Sequence, residues 1–188
     1  LLLHCDGAND GTTFTDSSQN GHTMVVTGDT HTDTAVKKFG TAAVQFDGVS
    51  GAAGDDRLSV TSTSLGDNTY ASGTVECWVY FNSFESGSSV HYSPCILGKG
   101  DTYWGMFVEA SGYVDFFVYT GSHTQLQSST TLSLDTWHHV AGTWNTSGRK
   151  IWIDGVERGS SAISVSAMHS DGNGTNIAIG RGFNDTNC

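Results

Sequence analysis

Apolar and polar residues alternate with a period of two along much of this chain. In TVECWVYF (74–81), Val75, Cys77, Val79 and Phe81 share one side and Glu76, Trp78 and Tyr80 the other. Both sides carry bulk, which predicts a covered central strand or the floor of a concave surface. WGMFVEA (104–110) and YVDFFVYT (113–120) read as two strands joined by Ser111-Gly112. KIWIDGVERG (150–159) reads as a hairpin. Its Asp154-Gly155 suits a type I′ turn, which needs φ > 0 at both positions, and sets Ile153 opposite Val156 and Trp152 opposite Glu157. Further strands are predicted at 1–5, 23–27, 42–46, 57–61, 125–129, 137–144 and 176–180. AVKKFG (35–40) is at most one helical turn, and there is no repeat or Pro-rich linker. The prediction is one all-β domain over 1–188, a two-sheet antiparallel sandwich with long Gly/Asp loops.

This pattern bears on TWHHVAGTW (136–144). Neighbours on a strand point to opposite faces, so His138 and His139 are expected on opposite sides of one strand rather than on one ion.

Composition narrows the function classes. The chain of 188 residues holds 24 Gly, 1 Pro and 8 basic against 19 acidic residues, a net charge of −11. Phosphate backbones attract basic surfaces, so nucleic acid is excluded as a partner. Only 4 of the acids are Glu; the other 15 are Asp, many beside Gly, Asn or Ser, which is turn chemistry first and hard-cation chemistry second. No apolar run approaches membrane-spanning length, so no membrane insertion is expected. Leu1-Leu2-Leu3 is too short for a signal segment and no initiator Met is present, so the chain reads as a processed product or part of something longer. Cys5, Cys77, Cys95 and Cys188 are widely spaced without a CxxC, which argues against zinc and leaves the disulfide pairing open. Asn145, Asn173 and Asn184 head glycosylation sequons that matter only in a eukaryotic secretory host.

The order of motifs resembles the laminin-G-like domains of the concanavalin A-like lectin/glucanase superfamily. LLLHCDG resembles their opening strand and TFTDSSQNGHTM their Asp-Ser-Ser loop. KKFGTAAVQFDG with DDRLSV resembles their Phe-Gly…Phe-Asp-Gly block, followed in order by TVECWVYF, CILGKGD, DTWHHVAGTW and KIWIDGV. The resemblance implies a jelly-roll sandwich of two curved antiparallel sheets. It implies no single activity, because such folds serve as carbohydrate-binding, adhesion and spacer modules in secreted, cell-surface, phage tail or virion proteins. Cys5 and Cys77 stand where an aromatic is usual, as buried thiols or a Cys5–Cys77 disulfide. The family's final strand is missing after Cys188, so residues 1–5 are expected at an open edge, pairing with chain outside these residues.

Three chemistries follow from these residues. Glycoside hydrolysis needs two carboxylates about 5 to 9.5 Å apart; no Glu has an acidic partner at strand spacing, Glu-x-Asp-x-x-Glu is absent, and no GxSxG supports a Ser-His-Asp assembly. The expectation is no enzyme. A structural calcium could be held by Asp16 and Asn20, with Asp6 as second carboxylate and Asp55-Asp56 as a weaker candidate; the alternative is an Asx-turn without metal. Glycan binding would draw on Trp78, Tyr80, Tyr103, Phe117, Tyr119, Trp152 and Glu157. The chain therefore reads as a non-catalytic extracellular, cell-surface or virion module. Its expected partners are glycans or surface polysaccharide. The alternatives are a fibre or decoration subunit binding copies of itself or other virion or surface proteins, and, less favoured, a polysaccharide-cleaving enzyme.

Overall fold

The structure, a computed structural model, describes residues 1–47, 56–61, 70–84, 95–99, 104–122, 124–165 and 176–180. Among these residues there are thirteen strands and no helix. They are β1 (Val25–Thr27), β2 (His31–Asp33), β3 (Ala43–Gln45), β4 (Arg57–Thr61), β5 (Gly73–Val79), β6 (Cys95–Lys99) and β7 (Trp104–Val108). Then follow β8 (Tyr113–Val118), β9 (Gln125–Thr131), β10 (His138–Asn145), β11 (Gly148–Ile153), β12 (Val156–Ser161) and β13 (Asn176–Ile179). A seven-stranded sheet runs β1-β4-β13-β6-β7-β8-β9 and a four-stranded sheet runs β12-β11-β10-β5, with β2 and β3 as a separate pair. Every strand pairing is antiparallel.

The core lies between the two large sheets and follows the two-residue period. Trp104, Met106, Val108, Val114, Phe116 and Val118 come from the seven-stranded sheet, and Val140, Trp144, Ile151 and Ile153 from the four-stranded one. Val75, Cys77, Val79 and Phe81 pack against them, so this side of TVECWVYF faces inward. Arg149 is fully buried in the same layer and donates from Nη1 to the carbonyls of Val118 (3.2 Å) and Thr124 (2.6 Å), tying β11 to the end of the facing sheet. The hairpin register is as expected, with Trp152 opposite Glu157 and Ile153 opposite Val156. Its turn has φ of 52° at Asp154 and 76° at Gly155.

Residues 1–5 differ from expectation. Leu3 makes only an isolated bridge to Asp16, and Cys5 has φ 57°, which breaks an extended run. The Leu2 backbone is engaged within the chain: its N–H donates to Asp16 Oδ1 (2.9 Å) and its carbonyl accepts from Ser17 N–H (2.8 Å). The expectation of an unpaired edge there is corrected. The default reading of Cys5 and Cys77 as free thiols holds, and the alternative of a Cys5–Cys77 disulfide is corrected. Cys5 and Cys77 are thiols, pushed up by burial to about 11 and about 12 respectively. β2 went unpredicted because His-Thr-Asp has no apolar signal; Thr32 is buried with its hydroxyl donating to the Ala8 carbonyl (2.6 Å).

Candidate functional site

Strand parity decides which side chains leave the core. On β5, Glu76 and Trp78 point outward opposite Cys77; on β10 it is His139, Ala141 and Thr143; on β11 it is Lys150 and Trp152. The register sets Trp78 beside His139 and Ala141 beside Trp152. These residues share the outer face of the four-stranded sheet. Trp78 is 39% exposed, unusually open for a tryptophan. Its ring meets His139 at 5.4 Å and the edge of Phe39, itself 65% exposed, at 5.5 Å and 82°. Tyr80 and Trp137 add a second aromatic pair at 5.6 Å. Trp152 donates its indole N–H to Thr143 Oγ1 at 3.2 Å.

Charge decorates this surface. The Lys38 ammonium lies 4.2 Å from the Trp78 ring centroid and the Lys150 ammonium 5.5 Å from that of Trp152, both within cation–π range. Lys150 pairs with Glu157 at 2.7 Å, and Glu76 lies 3.4 Å from His139 Nε2. The Lys150 ammonium holds the Glu157 carboxyl below its usual range.

The loop carrying Lys38 and Phe39 is held by a residue read from the sequence as a metal ligand. Asp6 Oδ1 accepts from the backbone N–H and the hydroxyl of Thr41, which lowers the pKa of its carboxyl. Gly40, at φ 61°, passes so close to this carboxylate that a Cβ would lie 2.0 Å from Oδ1. Asp6 therefore clamps the loop onto the domain.

Of the glycan candidates, Trp78, Tyr80, Trp152 and Glu157 gather on this face. Phe117 does not: it belongs to the other sheet, is buried and stacks on Phe107 at 5.7 Å and 10°. Tyr119 follows β8 on that sheet too, and Tyr103 lies outside the described residues. The sequence reading missed Lys38, Phe39, Glu76, Trp137, His139 and Lys150. The outward parity of His139 was a usable signal; the approach of the 35–41 loop was not, because nothing local encodes it.

Donors of the chain itself surround the carboxylates expected to hold calcium. Asp16 Oδ1 accepts from Leu2 N–H and Ser18 N–H, and Oδ2 from Ser18 Oγ and His22 N–H, all at 2.8–2.9 Å. Burial pushes this carboxyl up, but the four donors outweigh it and hold it well below the usual carboxylate range. Four acceptor directions are thus filled, as in an Asx-turn. Asn20 sits exposed in the Ser18–Gly21 turn, and Asp6 serves Thr41. Asp56 accepts from Asp29 N–H (2.6 Å) and Asp47 N–H (2.9 Å), and Asp55 lies outside the described residues. Among the described residues no group of three or more His, Cys, Asp or Glu could hold a metal ion. Asp16→Ala is expected to cost about 2–3 kcal/mol, because it leaves donors around a buried site unpaired. Calcium or chelator should leave the melting curve of the native chain unchanged; a rise in Tm with calcium concentration would restore the ion.

His138 and His139 do lie on opposite faces. His138 Nε2 accepts from Ser133 N–H (3.2 Å), so Nδ1 carries the proton and donates to Asp154 Oδ2 (2.7 Å). The Ser133 hydroxyl lies 2.9 Å from the same Nε2. The alignment is that of a hydrolase triad, but the Nε2 lone pair already serves a backbone amide and is not free to take the hydroxyl proton. The three residues staple the 132–137 turn to the β11–β12 turn.

With this geometry in hand, the Laminin_G_3 family model, of the concanavalin A-like lectin/glucanases superfamily, matches residues 52–188. The chain belongs to this laminin-G-like family. No curated protein sequence matches it. Two solved structures share the concanavalin A-like fold. Domain 4 of AbnA, a GH43 extracellular arabinanase from Geobacillus stearothermophilus, in complex with arabinotriose, is similar with TM-score 0.65 and 16% identity, over 90% of this chain and 79% of that one. The botulinum neurotoxin serotype G binding domain is similar with TM-score 0.64 and 13% identity, over 93% of this chain but only 42% of that one.

The superfamily also contains glucanases, and glycoside hydrolysis works through paired carboxylates. Among the described residues, the outer face of the seven-stranded sheet holds a close carboxyl pair. Cross-strand pairing of Phe107 with Asp115, and Glu109 N–H donating to the Tyr113 carbonyl (2.9 Å), bring Glu109 against Asp115. Spacing along a strand, on which no Glu has an acidic partner, does not reveal this pair, because the partner comes from across the hairpin. Burial, then the hydrogen bond and charge of Glu109, raise Asp115 to about 7. Directly hydrogen-bonded carboxyls leave no room for a sugar or water between them, unlike the separation of about 5 Å or more that glycosidases use.

Proposed function

We propose that the chain is a non-catalytic carbohydrate-binding module, acting outside the cell or on a cell or virion surface, with the outer face of its four-stranded sheet as the binding surface. The observation that carries this reading is the open aromatic corner of Trp78 and Phe39, continued by His139, Tyr80–Trp137 and Trp152. Aromatic faces take up the apolar C–H surfaces of sugars, and a platform built on strands holds them rigidly. The likeness of fold to an arabinanase domain solved with arabinotriose supports a saccharide ligand.

The test is retention on a panel of immobilised polysaccharides. The native chain is expected to be retained on at least one polymer without releasing reducing ends. Trp78→Ala should lower the affinity by roughly tenfold or more, about 1.4 kcal/mol, while Tm stays within a few degrees. Retention indifferent to both Trp78→Ala and Trp152→Ala would place binding elsewhere, and release of reducing ends would make the domain an enzyme.

A further inference from the structure

We infer that the ligand of this platform is an anionic polysaccharide, bearing carboxylate or sulfate groups, with Lys38 as the residue that selects for charge. This rests on the platform reading above. The first observation concerns where exposed positive charge lies. The chain carries −11 overall. Among the described residues, Lys99 and Arg149 are buried and Arg57 and Arg158 are half-buried. The exposed cations are Lys37, Lys38 and Lys150, of which Lys38 and Lys150 stand over Trp78 and Trp152. Whereas Trp137 packs on Tyr80, Trp78 and Trp152 thus each carry an ammonium. From strand spacing and the register, the two lie about 12 Å apart, across β10, with the small Ala141 between them. That is the span of a few sugar units along one chain.

The second observation is the balance of donors and acceptors. A neutral sugar is read through its hydroxyls, which need acceptors as much as donors. Here both carboxylates of the face are engaged, Glu157 by Lys150 and Glu76 by His139. The Trp152 indole N–H is taken by Thr143, and the Lys37 ammonium donates to the Thr34 carbonyl at 2.7 Å. Lys38 has no acceptor among the described residues; its ammonium rests on the Trp78 and Phe39 rings, at 4.2 and 5.9 Å. A cation–π contact at an exposed site is weak, about 0.5–1 kcal/mol. An acid group can draw the ammonium off the ring and expose the indole to the sugar in the same movement. The surface therefore offers one open ammonium, Lys38, beside aromatic faces, the complement of an acidic sugar. The strongly negative remainder of the chain works against indiscriminate polyanion binding and leaves this face as the point of approach.

The experiment measures binding of the whole chain to polygalacturonate, dextran sulfate and uncharged dextran by biolayer interferometry. We expect at least one of the two polyanions to bind roughly tenfold or more tightly than dextran, and to weaken as salt rises from about 50 to 500 mM. Preference between polygalacturonate and dextran sulfate separates a carboxylate from a sulfate ligand. Lys38→Met keeps the apolar stem and should lower polyanion affinity about fivefold or more without changing dextran binding, while Lys38→Arg should retain it. Equal binding of dextran, or a Lys38→Met variant indistinguishable from the native chain, overturns this inference while leaving a Trp78-dependent module intact. If Trp78→Ala changes nothing for any bound polymer, the platform reading itself falls, and the inference with it.

Discussion

Replacing Phe116 by alanine is expected to cost about 3–5 kcal/mol, a large share of the stability of a domain of this kind. Phe116 is fully buried at the centre of the sandwich, 6.3 Å from the Trp144 ring. It fills the space left by Gly142 on the facing sheet, where an added Cβ would lie 2.6 Å from the Phe116 ring. Large and small are matched across the layer, so the void left by alanine cannot be closed by its neighbours. Gly142→Val should be comparably harmful for the opposite reason, since the ring has no free direction to move. Urea unfolding of both variants checks this; a loss below about 1 kcal/mol for Phe116→Ala would mean that the sheets do not interlock there.

Asp115→Asn is expected to stabilise the domain at alkaline pH and to flatten its pH dependence. The folded-state value, about 7, lies above that of an unfolded aspartate, near 3.9. The native state therefore binds the proton more tightly than the unfolded chain. The stability this group contributes is complete below about pH 4 and is lost as pH rises through about 7. Above that, two carboxylates, Glu109 and a buried Asp115, repel. An asparagine amide supplies the missing donor at any pH. One pKa unit corresponds to about 1.4 kcal/mol; because the two carboxyls titrate together, a gain of about 1–2 kcal/mol at pH 8 is expected, and little change at pH 4. Thermal melts of both chains from pH 4 to 8 test it. A native chain whose Tm is the same at pH 5 and pH 8, or an Asn variant that is less stable at pH 8, would sink the argument.

Much of the architecture was legible because the inner layer obeys a rule of period two. Val75, Cys77 and Val79 inward against Glu76 and Trp78 outward follow from sp³ geometry and burial, not from partners. The Asp154-Gly155 turn was legible because its backbone conformation admits few residue types. Asp6 and Asp16 were not legible as anchors. A buried or loop-clamping carboxylate and a cation ligand look identical in sequence, and only the donors around them differ: Leu2, Ser18 and His22 for one, Thr41 for the other. Phe117 was misjudged because adjacent aromatics on β8 point to opposite sides of one sheet, and both sides of that sheet bury them.

By itself, then, the sequence determined the fold class, the alternation of the two faces along β5, the hairpin register and the separation of His138 from His139. These depend on local periodicity and turn stereochemistry, which a residue and its near neighbours carry. Only the tertiary structure decided that Phe39 stands edge-on to Trp78, that Lys38 caps that ring, and that Asp6 holds their loop in place. It also decided that Asp115, buried and hydrogen-bonded to Glu109 across a hairpin, is raised to about 7. These contacts join segments brought together by strand order and loop path. Their energies depend on distance and burial in space, which no spacing along the chain records.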